Sequence, residues 1–190
     1  RQLSPRDGQT TANEDSIRDG IFGTDGDPQG DAVNLKSQYS SCSHNQLNFD
    51  SVGTIKGNTL TINDGVITIN LPNSKKSDGN SAIRNAINAA IQTDFGTQPR
   101  QIADKVMYCL PPGTFDGIAF AGVGSWYSVY NDEWCGYSAV QMHEIGHNIN
   151  LAHAGEGTNP YRDKSGVVSD SYDKSNSSEP VKNCYTNSFL

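Results

Sequence analysis

Three of the four histidines in this 190-residue chain lie within eleven residues, from His143 to His153. On a helix, His143 and His147 are one turn apart, so both imidazoles project from the same side and can bind one ion. Glu144 follows the first histidine, where its carboxylate can take a proton from a water molecule at the metal. The chain must leave the helix over residues 148–153 for His153 to complete the set. Three protein ligands with an open fourth position are typical of a catalytic zinc (Zn2+) site.

Position 150 tests this interpretation, because the motif resembles the metzincin pattern H-E-x-x-H-x-x-G-x-x-H with Asn150 in place of the glycine. The chain must reverse there with a positive φ, which asparagine tolerates best after glycine, so the cost should be about 1 kcal/mol. Surface histidines and a structural zinc site are the alternatives. A structural site would leave Glu144 without a role, and the cysteines do not flank the histidines at ligand spacing.

Composition favours one loop-rich globular domain over residues 1–190, since 34% of the residues are hydrophobic and 19 are glycine. We expect residues 1–150 to form an upper subdomain and residues 151–190 a short lower one. A net charge of −7 without a basic stripe argues against nucleic acid and anionic membranes as partners. No apolar run approaches the roughly 20 residues of a membrane span. We expect a monomer.

The chain has four widely spaced cysteines, Cys42, Cys109, Cys135 and Cys184. An even set predicts two disulfides in an oxidising compartment, with all three pairings open. Four free thiols in a cytosolic protein are the alternative. The chain begins at Arg1, which we interpret as processing or trimming, and a glycosylation sequon at Asn176 is consistent with export. These features predict a secreted protein.

Hydrophobic periodicity predicts an α/β (α+β) fold. Alternating apolar residues over 60–71, around Asn63-Asp64-Gly65, predict a β-hairpin. Isoleucines four residues apart predict an amphipathic helix that begins near Asp78–Ser81 and ends at Gly96. Residues 105–110 predict a short strand and residues 117–130 another extended segment. The motif helix should begin near Ser138, with a core face formed by Met142, Ile145 and Ile149.

The N-terminal region gives weaker signals. Residues 1–20 are polar and predict an arm or a strap. Residues 19–31 hold four aspartates among several glycines: Asp19, Asp25, Asp27 and Asp31. A calcium (Ca2+) loop is one interpretation, but an EF-hand that begins at Asp25 fails at its last position, where Lys36 replaces glutamate. A solvated, turn-rich loop is the preferred interpretation.

The stretch Gln141–Asn148 resembles the active-site segment of the gametolysin-like metalloproteases, a metzincin-type family. Phe22–Asp27, Val33–Tyr39 and Ser128–Cys135 resemble further segments, and the likeness covers about 85% of the chain, with the zinc motif as its specific part. The resemblance implies a twisted mixed sheet, an active-site helix and an irregular C-terminal subdomain. It also implies a secreted zinc endopeptidase that acts on extracellular matrix or cell-wall glycoproteins.

Carried over residue by residue, the resemblance makes His143, His147 and His153 the zinc ligands and Glu144 the general base. This chain also departs from the metzincin pattern after the third histidine. Metzincins place a methionine beneath the zinc, and residues 165–170 contain none, so Val168 is assigned to that position. Tyr161 and Tyr172 are candidate oxyanion donors, although exposed aromatic residues are the preferred interpretation of both.

These departures leave two alternative functions open. The first is a catalytically weak or inactive homologue that keeps its zinc as a binding or adhesion module. The intact Glu144 argues against it, because such a module has no need of that carboxylate. The second is a cytosolic metal-dependent hydrolase with free thiols. Only 37 residues follow His153, which suggested a catalytic core cut from a longer protein.

Overall fold

A three-stranded mixed sheet lies between two long helices in the computed structural model, which describes residues 12–23 and 34–153. The helices are α1 (Glu14–Phe22), α2 (Leu35–Cys42), α3 (Gly79–Phe95), α4 (Pro99–Ile102) and α5 (Ser138–Asn148). The strands are β1 (Ile55–Lys56), β2 (Thr61–Ile62), β3 (Val106–Leu110), β4 (Ala119–Ala121) and β5 (Tyr127–Asn131). Short 3-10 helices span Lys76–Asp78 and Asp132–Gly136. Among the described residues, no helix combines the length and apolar character that a membrane crossing requires.

The main sheet has the strand order β3-β5-β4. β3 and β5 run parallel, with Tyr108 opposite Val129, whereas β4 and β5 run antiparallel, with Phe120 opposite Val129. Because successive side chains of a strand point to opposite faces, the sheet builds two separate cores. The mixed α/β architecture agrees with the predicted fold class.

One face of the sheet packs against α3 and the other against α5. On the α3 side, Val129, Tyr108 and Leu110 surround Ile83 of the helix. On the α5 side, Tyr130 and Cys135 pack with Val140 of that helix. The sheet therefore supports the helix that carries the histidine motif, and this support comes from β4 and β5.

The sequence signals for α3 and β3 are confirmed. α3 ends where Gly96 adopts φ 72°, and the Gly96 N–H bonds to the carbonyl of Gln92. The strand expected at 105–110 is observed as Val106–Leu110, and the extended segment 117–130 divides into β4 and β5. These elements carry strong local signals, namely isoleucine spacing, a terminating glycine and β-branched or aromatic runs.

The predicted hairpin over 60–71 is right in its turn and in part of its first strand, observed as β2, but wrong in its second strand. Asp64 and Gly65 have positive φ, and Asn63 and Val66 exchange backbone hydrogen bonds across them. Beyond this single bridge the described chain forms no second strand over 67–71. Instead β2 pairs antiparallel with the preceding strand β1, with Ile62 opposite Ile55.

Asp94 of α3 accounts for this pairing. Its buried carboxylate accepts hydrogen bonds from the N–H groups of Thr59 and Leu60 at 2.8 and 2.9 Å and from the Thr59 hydroxyl at 2.6 Å. Burial alone would raise the pKa of Asp94, but these hydrogen bonds outweigh it and hold the pKa below its ordinary value. The carboxylate thus fixes the turn between β1 and β2 from 34 residues away, which no local pattern reveals.

The arm or strap predicted over residues 1–20 contains a helix that was not predicted from the sequence, α1, which begins at Glu14. Asn13 caps this helix by accepting a hydrogen bond from the Ser16 N–H at 2.8 Å. Ile17 and Ile21, one turn apart, pack against the cores beneath α5. Two apolar residues were enough to fix a helix that looked polar overall. Residues 1–11 and 24–33, including most of the weighed calcium loop, lie outside the described residues.

A disulfide joins β3 to the segment that leads into α5. Cys109 and Cys135 are paired with a Cα–Cα separation of 5.7 Å, and Cys42 is disulfide-bonded as well. None of the described cysteines is a free thiol, so the prediction of disulfides is confirmed. Cys184 lies outside the described residues. The bridge fixes the start of the motif helix relative to the sheet.

Candidate metal centre

Helix α5 is buried along most of its length, from Val140 to Asn148. Met142 and Ile145 form its apolar face with Leu35 and Tyr39 of α2, and Ile149 packs against them. The Tyr39 hydroxyl also donates a hydrogen bond of 2.7 Å to the carbonyl of Met142. The core face expected from the sequence is therefore confirmed, and it leaves the histidines on another side of the helix.

The structure brings the three predicted ligands together. The Nε2 atom of His147 lies 3.1 Å from Nε2 of His143 and 3.1 Å from Nε2 of His153. Two nitrogens bound to tetrahedral zinc at 2.0–2.1 Å would be about 3.3 Å apart, so the observed triangle fits this ion. His143 and His147 are buried, and His153 is half-buried. The three imidazoles form one cluster able to hold a metal ion.

His153 reaches the cluster because the end of α5 forms a Schellman motif. The Leu151 N–H bonds to the carbonyl of Gly146, and the Asn150 N–H bonds to that of His147. Asn150 has φ 75°, the left-handed conformation expected for it from the sequence. Leu151 then packs in the same core as Ile145, which is the apolar contact typical of this motif.

Replacement of Asn150 by glycine should therefore preserve the centre. Because glycine has no Cβ penalty in the left-handed region, Asn150→Gly should stabilise the fold by up to about 1 kcal/mol, whereas Asn150→Val should cost about 2 kcal/mol. Chemical denaturation of both variants would measure this, with zinc content determined alongside. Asn45→Gly, at another left-handed asparagine (φ 63°), is the matched control. A large loss of zinc in Asn150→Gly would show that the asparagine side chain has a role of its own.

The reversed chain also orients one ligand. Nδ1 of His147 lies 2.8 Å from the carbonyl oxygen of Leu151. Since a carbonyl only accepts, Nδ1 must carry the proton in this hydrogen bond, and the lone pair is then on Nε2, which faces the other two histidines. A metal ligand held by such a partner has a fixed ring orientation.

Glu144 lies beside the first ligand in a dry environment. Its side chain is 3% exposed, and its Oε2 atom has no hydrogen-bond partner among the described residues. Burial raises the pKa of the Glu144 carboxyl to about 8 in the metal-free protein. A cation held by the histidines would favour the ionised form again. The Oε2 atom therefore keeps an acceptor capacity that no described residue uses.

A second set of contacts at the end of α5 has no signal in the sequence. The turn between β4 and β5 places the Gly124 N–H 2.8 Å from the carbonyl of His147. Gly124 has φ 72°, a conformation that favours glycine, and a Cβ there would lie 2.7 Å from Oδ1 of Asn150, which would have to move. Lys105, just before β3, also reaches the helix end. These residues are far from the motif in the chain, and only the fold brings them to it.

Three residues weighed from the sequence, Tyr161, Val168 and Tyr172, lie outside the described residues. Comparisons with curated proteins and with solved structures found no significant match. A family model, that of gametolysin peptidase M11, matches residues 8–186 and so spans nearly the whole chain. The matched region contains the three-histidine cluster, and both findings imply zinc as the metal. The chain belongs to the gametolysin peptidase M11 family, a family of zinc metalloendopeptidases.

Proposed function

We propose that this metalloendopeptidase is secreted and cleaves extracellular matrix or cell-wall glycoproteins, with His143, His147 and His153 as the zinc ligands and Glu144 as the general base. The observation that carries the assignment of roles is the triangle of Nε2 atoms, 3.1 Å along two edges, with the buried Glu144 next in sequence to His143. When bound there, zinc supplies a Lewis acid that polarises the scissile carbonyl and the attacking water.

Glu144 moves the proton in this proposal. Its carboxylate takes a proton from the attacking water and later gives it to the nitrogen of the leaving amine. The side chain is held in a buried helix, so it needs little reorganisation to reach both atoms. The Leu151 carbonyl keeps His147 in the tautomer that can bind the metal. Asn150 gives no reason to favour an inactive homologue, since its backbone conformation serves the motif as glycine would.

The sheet edge next to the cluster supports a protein substrate. Among the described strands, β4 pairs with β5 on one side only, and an extended peptide can add to such an edge by backbone hydrogen bonds. Phe120 in β4 and Val123 in the following turn are the exposed large apolar residues of the described chain, at 36% and 59%. Two exposed apolar residues on this edge and its turn suit apolar side chains of a bound peptide.

Secretion is supported by the disulfides, which are stable in oxidising compartments and rare in the cytosol. The cellular part of the proposal is tested by detecting the protein in culture medium and in cell lysate on gels with and without reductant. Recovery from the medium in a disulfide-bonded form is expected. Retention of the protein inside cells with reduced thiols would instead favour the cytosolic hydrolase.

The activity is tested with an internally quenched peptide blocked at both ends and with a denatured glycoprotein. We expect cleavage inside both substrates, at least about 100-fold loss after chelation, and recovery when about one equivalent of zinc is added. Matched incubation with calcium after chelation separates the two metals. Zinc binding without cleavage of either substrate would favour the binding module, and activity that survives complete zinc removal would overturn the assigned site.

A further inference from the structure

Lys105 directs its ammonium group at the carboxyl end of α5. Nζ lies 2.7 Å from the carbonyl oxygen of Asn148 and 3.3 Å from that of Ser125. Asn148 is the last residue of the motif helix, and Ser125 belongs to the turn between β4 and β5. Lys105 itself is half-buried just before β3. One side chain thus bonds two separate backbone segments beside the histidine cluster.

The carboxyl end of a helix needs such donors, because its last carbonyls have no partner within the helix. The Schellman motif satisfies the carbonyls of Gly146 and His147 with the N–H groups of Leu151 and Asn150. The carbonyl of Asn148 accepts from Lys105 instead. Asn148 is 1% exposed, so water could not readily replace a lost donor. A positive charge at this end is also favourable to the helix dipole.

Two further hydrogen bonds tie the same helix end to the same part of the sheet. The Gly124 N–H donates to the carbonyl of His147, and the Asn148 amide donates to the carbonyl of Tyr127 at 2.9 Å. Lys105 bridges the two sides that these bonds connect. The segment held in this way contains one proposed ligand, His147, and begins the reversal that delivers another, His153.

We propose that Lys105 is a positioning residue for the metal centre: its ammonium locks the last turn of α5 to the β4–β5 turn and so fixes His147 and His153 for zinc. The proposal rests on the ligand set of the proposed function. Without this contact the Asn148 carbonyl loses its donor, and the end of α5 gains alternative conformations. Zinc then binds only the fraction of molecules in which the histidines are correctly placed. Residues that act behind metal ligands in this way change affinity or activity by about 10- to 100-fold.

The test uses the full chain with Lys105→Met and Lys105→Arg. Methionine keeps the apolar stem of lysine but removes both hydrogen bonds of the ammonium group. Arginine keeps the positive charge and the ability to donate hydrogen bonds. The matched control is Lys36→Met, which removes a lysine and its 2.6 Å contact with Asp50 from the surface of α2. Zinc dissociation constants are measured by competition with a chromophoric chelator, with unfolding of the zinc-free proteins followed in parallel.

We expect Lys105→Met to weaken zinc binding by about 10- to 100-fold, Lys105→Arg to restore most of it, and Lys36→Met to change it less than about twofold. At saturating zinc, Lys105→Met should lower kcat and leave KM within about twofold. A Lys105→Met protein that unfolds at lower temperature but binds zinc like the wild type would overturn the proposal, since lysine would then be structural only.

Two outcomes separate this proposal from the proposed function. If the wild type binds zinc but cleaves no peptide, the assigned activity fails, while the zinc constants still decide the role of Lys105. If the wild type binds no zinc through the histidines, both fail. Should Lys105→Met not fold, Lys105→Gln replaces it, because its shorter, uncharged side chain also removes the ammonium group. Wild-type zinc affinity in that variant would equally overturn the positioning role.

Discussion

Replacement of Glu144 by glutamine should reduce kcat by about 100- to 10,000-fold, the usual contribution of general acid–base catalysis, while about one zinc ion stays bound. Glutamine has nearly the same shape as glutamate, so the packing of a side chain that is 3% exposed is preserved. It cannot accept a proton at neutral pH, so the attacking water keeps its proton. The measurement is kcat on the quenched peptide, with zinc determined on the same samples.

Two companion variants make this result specific. Glu133→Gln changes an exposed carboxylate in the 3-10 helix before α5 and should leave kcat unaltered. His147→Ala removes the central imidazole of the cluster and should lose both zinc and activity. Glu144→Gln that retained more than about a tenth of the wild-type kcat would assign the proton transfer to another group.

The metal centre could be predicted from the sequence because the residues that form it lie close together in the chain. Helical spacing sets His143 and His147 side by side, and a left-handed residue six positions after Glu144 brings the chain back. Asn150 adopts the φ of 75° that the motif requires. Asparagine in place of glycine therefore adds backbone strain but leaves the backbone geometry of the turn unchanged. The same locality explains why α3 and β3 were found from periodicity alone.

The errors lie where distant contacts outweigh local pattern. The strand expected over 67–71 was lost because Asp94 holds Thr59 and Leu60 in a turn that pairs β2 with β1. The contacts of Lys105 with Asn148 and Ser125 span 43 and 20 residues, and a lysine at the start of an apolar strand has no distinguishing pattern. Sequence periodicity indicates which side of a helix or strand is buried, but not which backbone carbonyl a half-buried ammonium group will contact.

The stability of the zinc-free protein should depend on pH through Glu144. Burial raises the pKa of this carboxyl from 4.5 to about 8, so between these values the folded chain holds a proton that the unfolded chain releases. Stability falls with rising pH wherever the folded state binds more protons, so the free energy of unfolding should decline across this window. The full penalty, absent below pH 4.5 and complete above pH 8, is on the order of 3–5 kcal/mol.

The contribution of Glu144 is isolated by comparing the wild type with Glu144→Gln, both free of zinc. Chemical denaturation from pH 5 to pH 8.5 should show a difference in unfolding free energy that grows with pH in favour of the glutamine variant. Glutamine has no charge to bury, whereas glutamate must ionise in a site where its Oε2 has no partner among the described residues. A difference that stays constant over this range would mean that the carboxyl is hydrated in the folded zinc-free protein. The variant that abolishes catalysis should therefore be the more stable one in alkaline, metal-free solution, because the charge that serves proton transfer is costly to bury without its cation.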